Sequence, residues 1–127
     1  VPTHETRIET TAPFDWRLCL FGHGWIALAP HRYDEATSRW RTTLRLGSAT
    51  VDAVARHDGR GVRLALTARR SLSRAQLAAA RAQVRHMLRL DEDLTTFHRR
   101  CRRARSRRWV AQRGGGRLLR SATAFED

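Results

Sequence analysis

Ten arginines fall between His98 and Arg120, and no acidic residue stands among them. That stretch alone carries +10 of a formal net charge of +13. In the rest of the chain fifteen arginines meet twelve acids, an ordinary balance for a folded domain. A positive patch this concentrated is the electrostatic footprint of a polyanion partner, and nucleic acid is the commonest one. All 25 basic residues are Arg, whose guanidinium forks onto phosphate through two parallel hydrogen bonds. Arg99, Arg100, Arg102, Arg103, Arg107, Arg108, Arg113 and Arg117 are therefore the candidate nucleic-acid-binding residues. The competing reading is a solvated helix face that touches nothing, in a chain whose GC-rich coding sequence writes Arg in place of Lys. Trp109 sits among Arg107, Arg108 and Arg113. It either stacks on a base or anchors the basic stretch against a neighbouring domain.

Other chemistry is sparse. Zinc ligands usually come in pairs about two to five residues apart. Of His4, His23, His31, His57, His86, His98, Cys19 and Cys101, only Cys19 with His23 and His98 with Cys101 stand that close, and structural or surface roles are the expected reading, with neither a metal nor a cofactor. His23 lies between two glycines, a spacing that suits a tight turn with Trp25 in the core. Asp15, Asp34, Asp52 and Asp58 fall in helix or turn contexts, and none is expected to be a catalyst. Two cysteines without scaffold spacing predict a reducing, cytoplasmic setting. No apolar run approaches the ~20 residues that cross a bilayer, and residues 1–11 lack the apolar core of a signal peptide.

The elements that must position these groups are legible from hydrophobic period. A length of 127 residues suits a single domain, and 41% hydrophobic residues suffice for one core. Thr3 to Thr11 is polar and β-tolerant, as an edge strand would be. Phe14 to Phe21 predicts a short helix with Phe14, Leu18 and Phe21 on its inner side. Trp25 to Leu28, closed by Pro30, predicts a strand. Trp40, Thr42, Leu44 and Leu46 then alternate with Arg39, Arg41, Thr43 and Arg45, a period of two. Val62, Leu64, Leu66 and Ala68 do the same further on. Between residues 50–57 and that last strand, Asp58-Gly59 marks a hairpin turn. Three strands in a meander follow, with one apolar face and one Arg-rich face.

Ser73 and Gln76 form a capping box ahead of a helix. Its Leu77, Ala80, Val84 and Met87 or Leu88 would cover the apolar face. A second helix is predicted from Leu90-Asp91-Glu92-Asp93, with Leu94, Phe97, Cys101 and Ala104 as its stripe. Acids at its start and arginines at its end would suit the helix dipole. Gly114-Gly115-Gly116 predicts a flexible break. Thr123 and Glu126 make a further capping box, read as the start of a helix that continues past Asp127. The expected class is α+β: a small antiparallel sheet packed against helices, with a basic helical C-terminal segment. Residues 1–90 would form the sheet and its covering helix, 91–120 the basic helix and Gly-rich connector, and 121–127 the truncated start of another helix.

Taken in order, PFDWRLCLFGHGWIAL (13–28), the meander, LRLDEDLTTF (88–97) and RLLRSATAFED (117–127) resemble the amino-terminal region of helix-hairpin-helix base-excision DNA glycosylases. The likeness is to 3-methyladenine DNA glycosylase II and 8-oxoguanine-glycosylase-like enzymes. It spans nearly the whole chain and is most specific at Leu88 to Phe97 and at Phe125-Glu126-Asp127. The resemblance implies a sheet similar to one repeat of the TATA-binding protein. It also implies a monomer that binds double-stranded DNA, and a helical catalytic domain beyond this chain. The family's hairpin, its catalytic Asp and the Lys of its lyase members lie in that domain, so no catalytic residue is expected here. Gly22-His23-Gly24-Trp25 departs from the Gln- and Arg-containing segment of the oxoguanine branch. Two other functions stay open. One is a free-standing Arg-rich nucleic-acid-binding module without enzymatic activity. The other is an interaction domain whose sheet and basic tail dock on an acidic protein.

Overall fold

Period-two alternation builds the centre of the molecule. In the computed structural model, which describes residues 1–22 and 24–120 and Trp25 by its backbone alone, β3 (Arg39–Leu46) buries Trp40, Thr42, Leu44 and Leu46 and exposes each residue between them. β4 (Ala49–His57) and β5 (Gly61–Thr67) continue the meander, and Asp58 closes the turn by accepting from the amides of Arg60 and Gly61, both at 3.0 Å. β1 (Thr3–Glu9) pairs with β5 as an edge strand, and β2 (Arg32–Asp34) pairs with β3 at the other edge. All pairings are antiparallel, in the order β1-β5-β4-β3-β2. With its helices the fold is α+β.

The strand expected at Trp25 to Leu28 is instead a 3-10 turn, Trp25–Ala27. Ala27 N–H donates to Gly24 O and His31 N–H to Leu28 O, so local turns consume the polar groups that a strand needs for its neighbour. The edge place beside β3 goes to Arg32–Asp34, where Tyr33 stands opposite Trp40. Three residues between turns give no alternation to read.

α1 (Trp16–Leu20) forms where a helix was expected but turns another side inward. Trp16, Cys19 and Leu20 are buried, whereas Phe21 is exposed and takes the Arg17 guanidinium over its ring, 4.3 Å from the centroid. Asp15 caps the helix by accepting from Leu18 N–H at 2.8 Å. Trp16 wins the inner place because it meets Trp40 edge to face at 6.1 Å while its Nε1 donates to Ser38 O.

α2 (Arg74–Met87) follows the sequence closely. Ser73 Oγ accepts from Gln76 N–H, and Gln76 Oε1 accepts from Ser73 N–H, which completes the box. Ala80, Val84, Met87 and Leu88 are buried, and the helix lies over β1 and β3. Thr42 Oγ1 is the one buried side-chain polar atom without a hydrogen-bond partner among the described residues. Leu119, far along the chain, is also fully buried in this core.

Candidate nucleic-acid interface

The basic stretch folds as a short hairpin of helices. α3 (Thr95–Arg103) starts later than expected, because Asp93 accepts from both Thr95 N–H (2.9 Å) and Thr95 Oγ1 (2.5 Å) and so holds the acids outside the helix. Its inner side is His98 and Cys101, with Leu94 and Ala104 half-buried at either end. Phe97, expected on the stripe, is 44% exposed and lies against Gly116. His98 takes its place because Gly115 O offers a partner for the ring, 2.7 Å from Nε2. A carbonyl can only accept, so Nε2 carries the proton. That one hydrogen bond ties the basic helix to the glycine segment.

A 3-10 turn (Arg105–Arg107) leads into α4 (Arg108–Arg113), which sequence periodicity did not announce. Six residues with one buried side chain, Ala111, leave no periodic signal. Gly114 ends α4 in the left-handed conformation at φ +72°, and Gly115 N–H donates to Val110 O at 2.7 Å. The three glycines are not an open break. A Cβ on Gly114 would collide with Pro13 O, and one on Gly115 would stand 2.9 Å from the Val110 side chain. Glycine is required here so that the turn can press against the start of α1.

The expected site residues divide into two groups. Arg113 pairs with Asp15 at 2.7 Å, joining α4 to the cap of α1. Burial pushes the Asp15 carboxyl up, but donation from Leu18 N–H and from Arg113 outweighs it and leaves the carboxyl below its ordinary value. Arg117 is half-buried and donates to the carbonyls of Arg89 and Glu92. Arg120 donates to His86 O, and its backbone N–H to Met87 O, while Leu119 N–H donates to Cys19 O. These contacts stitch residues 117–120 across α1 and the end of α2. Arg113 spends Nε and Nη2 on Asp15, Arg117 its Nη1 on the two carbonyls, and Arg120 its Nε and Nη2 on His86.

Arg99, Arg100, Arg102 and Arg103 of α3 are all exposed, whereas His98 and Cys101 are buried. Arg105 and Arg107 are exposed on the turn, and Arg105 is a member that the sequence reading left out. None of these six makes a side-chain hydrogen bond or ion pair with any described residue. Arg108 Nε donates to Arg102 O at 3.2 Å, which folds α4 back over the end of α3. Next to it Trp109 is 48% exposed. The result is a compact cationic knob with one half-open indole.

The four aspartates first considered as acids have other occupations. Asp58 binds Arg7 and Arg63, and Asp34 accepts from the amides of Ala36 and Thr37. Asp15 is the cap described above. Asp52 is exposed in the middle of β4 rather than in a turn, opposite Thr43 and Thr67. Burial pushes the Cys19 thiol up to about 12. No helix of the described residues is long and apolar enough to cross a membrane. His23 and the capping box at Thr123 and Glu126 lie outside the described residues.

No protein-family model matches the chain, and no curated protein matches it in sequence. Among solved structures the fold is similar to that of a 3-methyladenine DNA-glycosylase from Archaeoglobus fulgidus, with a TM-score of 0.67 at 19% identity. The match covers 95% of this chain and 41% of that one. This chain therefore has the fold of one part of a DNA glycosylase, and spans less than half of that protein's length.

Proposed function

We propose that this chain is the non-catalytic amino-terminal part of a DNA glycosylase that removes damaged bases in base-excision repair. The observation that carries the reading is the fold likeness, which spans 95% of this chain and only a part of the glycosylase it resembles. Arg99, Arg100, Arg102, Arg103, Arg105, Arg107 and Arg108 supply the contact with duplex phosphates. Arg113 and Arg117 act instead as anchors that hold the knob in place. The flipped base is read, and the glycosidic bond cut, by a helical catalytic domain outside this chain. Asp15, Asp34 and Asp58 are occupied as caps and ion-pair partners.

Phosphate contact has a measurable signature. Each neutralised phosphate contributes about −0.9 to the slope of log K against log salt for duplex DNA. A duplex reaching one side of the knob meets about four of the seven arginines, for a contribution of roughly −4 to the slope. Replacing Arg99, Arg102, Arg103 and Arg107 together by Gln removes that contribution, read by fluorescence anisotropy over a salt series. Circular dichroism of the variant checks that the fold is kept. A slope unmoved in a folded variant would refute the assignment of the knob. The glycosylase reading has its own test, in which the chain is expressed with its downstream coding sequence and assayed for release of alkylated bases from duplex DNA. Absence of release, with the same knob-dependent binding, favours the free-standing module.

A further inference from the structure

A row of like charge crosses the open face of the sheet. Arg56 stands directly opposite Arg63, and Arg63 directly opposite Arg7. Trp40 pairs with Ala55, so the register places Arg39 beside Arg56 and extends the row to a fourth strand. The positions step from strand to strand by about 4.8 Å. Arg41 flanks the row, opposite Val54. Like charges set opposite one another destabilise a sheet. The fold relieves only one end of this row, where Asp58 binds Arg7 at 2.6 Å and Arg63 at 3.1 Å.

Arg39, Arg41 and Arg56 are left over. All three are exposed, and none makes an ion pair or a side-chain hydrogen bond with any described residue. Asp34 lies within electrostatic reach of Arg41, but its Oδ1 is spent on the amides of Ala36 and Thr37. With Arg7, Arg63 and Glu5 they rim a groove of about 580 Å³, whose floor includes Val54 and Ala65. α2 covers the other face of the sheet, so this groove opens to solvent.

We propose that the groove takes the sugar–phosphate backbone of a nucleic-acid strand, as a contact surface separate from the α3–α4 knob. Three unneutralised guanidinium groups and a row that the fold itself does not balance call for a ligand of repeated negative charge. The chemistry of the floor decides between ligands. Among the described residues, the strands place no aromatic side chain on the open face, so they offer no platform on which a base could stack. A protein partner would be held chiefly by an aromatic or Arg anchor seated in a desolvated pocket of its surface. The apolar lining here is Val54 and Ala65, both half-buried, and Leu64, which is buried. What remains is charge spaced along strands, which fits phosphates and ignores base identity. The proposal does not rest on the glycosylase reading.

Arginine-selective modification with phenylglyoxal, read residue by residue by mass spectrometry, separates the two surfaces. With a short mixed-sequence duplex bound at low salt, Arg39, Arg41 and Arg56 are expected to react several-fold more slowly. Protection confined to residues 99–108 would overturn the groove and leave the knob standing. Protection confined to the groove would do the reverse. Polyglutamate of matched charge is the second arm, and protection as strong as that given by the duplex would overturn the phosphate assignment. Joint replacement of Arg39, Arg41 and Arg56 by Gln should flatten the salt slope by about 2 to 3 units. Because the variant relieves like-charge contacts, its melting temperature should not fall. An unchanged slope in that folded variant would also overturn the proposal.

Discussion

Arginines on the open face of the sheet are placed by hydrogen-bonded register, whereas those of the α3–α4 knob are placed by a few side-chain anchors. Arg56 faces Arg63 because β4 and β5 pair along their length, whatever the side chains at those points. The helices that carry Arg99 to Arg108 are tied to the rest of the fold through the His98–Gly115 hydrogen bond, the Arg113–Asp15 pair and the buried Leu119. The same residue type is thus mounted on a stiff frame in one region and on a pinned flap in the other. A change at one anchor should reorganise the knob and spare the sheet. A change within the sheet's core should affect its stability without moving the knob.

The largest effect should come from the deepest anchor. Leu119→Ala removes a fully buried side chain, and such truncations cost about 2 to 5 kcal/mol. Urea unfolding measures the loss, and amide exchange locates it. If protection falls over residues 95–120 while β3, β4 and β5 keep theirs, the knob is a separable unit. A uniform fall in every strand would break the contrast and make the chain one cooperative whole.

A smaller effect of opposite sign is expected in the sheet. Thr42 Oγ1 is buried without a partner, and leaving such a group unpaired costs about 1 to 3 kcal/mol. Thr42→Val keeps the branched shape that suits a strand and removes the hydroxyl. It should raise stability by about 1 kcal/mol in urea titration, with DNA affinity and salt slope unchanged. A destabilised variant would mean that the hydroxyl is satisfied in solution.

Acid should reveal the smallest differences, through two carboxylates that serve the two regions. The Arg7 guanidinium, aided by the amides of Arg60 and Gly61, holds the Asp58 carboxyl far below the usual range, and Asp15 is also held low by Leu18 N–H and Arg113 against the opposing effect of burial. Both folded values lie below the unfolded value of about 3.9, so the unfolded chain binds more protons as the pH falls. Their stabilisation is full above about pH 4 and is lost progressively below it. Asp58→Asn should flatten stability against pH between about 4 and 2 more than Asp15→Asn, because Asp58 is shifted further. Equal flattening by the two variants would remove this distinction between frame and flap.

Legibility in the sequence followed the same division. Trp40 and Leu44 read as core because each has polar neighbours on either side along its strand, Leu64 and Leu66 because they alternate with Arg63, Ala65 and Thr67, and the structure buries all four. The Ser73–Gln76 box was readable because every donor and acceptor lies within four residues. The edge strand at Thr3–Glu9 was also visible as a β-tolerant run. The inner side of α1 was not. Phe14, Leu18 and Phe21 satisfy a helical period as well as Trp16, Cys19 and Leu20 do, and only the position of Trp40 selects the second set. Phe97 and His98 present the same ambiguity, resolved by Gly115 O.

Of the candidate interface, the sequence shows where positive charge is concentrated but not which charges are spent. Arg102 and Arg117 are the same residue in the same basic run, yet the first side chain has no hydrogen-bond or ion-pair partner among the described residues and the second binds the carbonyls of Arg89 and Glu92. Nothing local separates them, because Arg117 finds its acceptors 25 and 28 positions earlier in the chain. The row Arg39, Arg56, Arg63, Arg7 is likewise invisible along the chain, since it exists only across strands. Alternation, caps and net charge are properties of neighbouring residues, and the sequence by itself determined them. Which arginines remain available, which glycines are pressed against a backbone and which helix face turns inward depend on contacts between distant segments. Those were decided only when the sheet, α1 and residues 117–120 packed together.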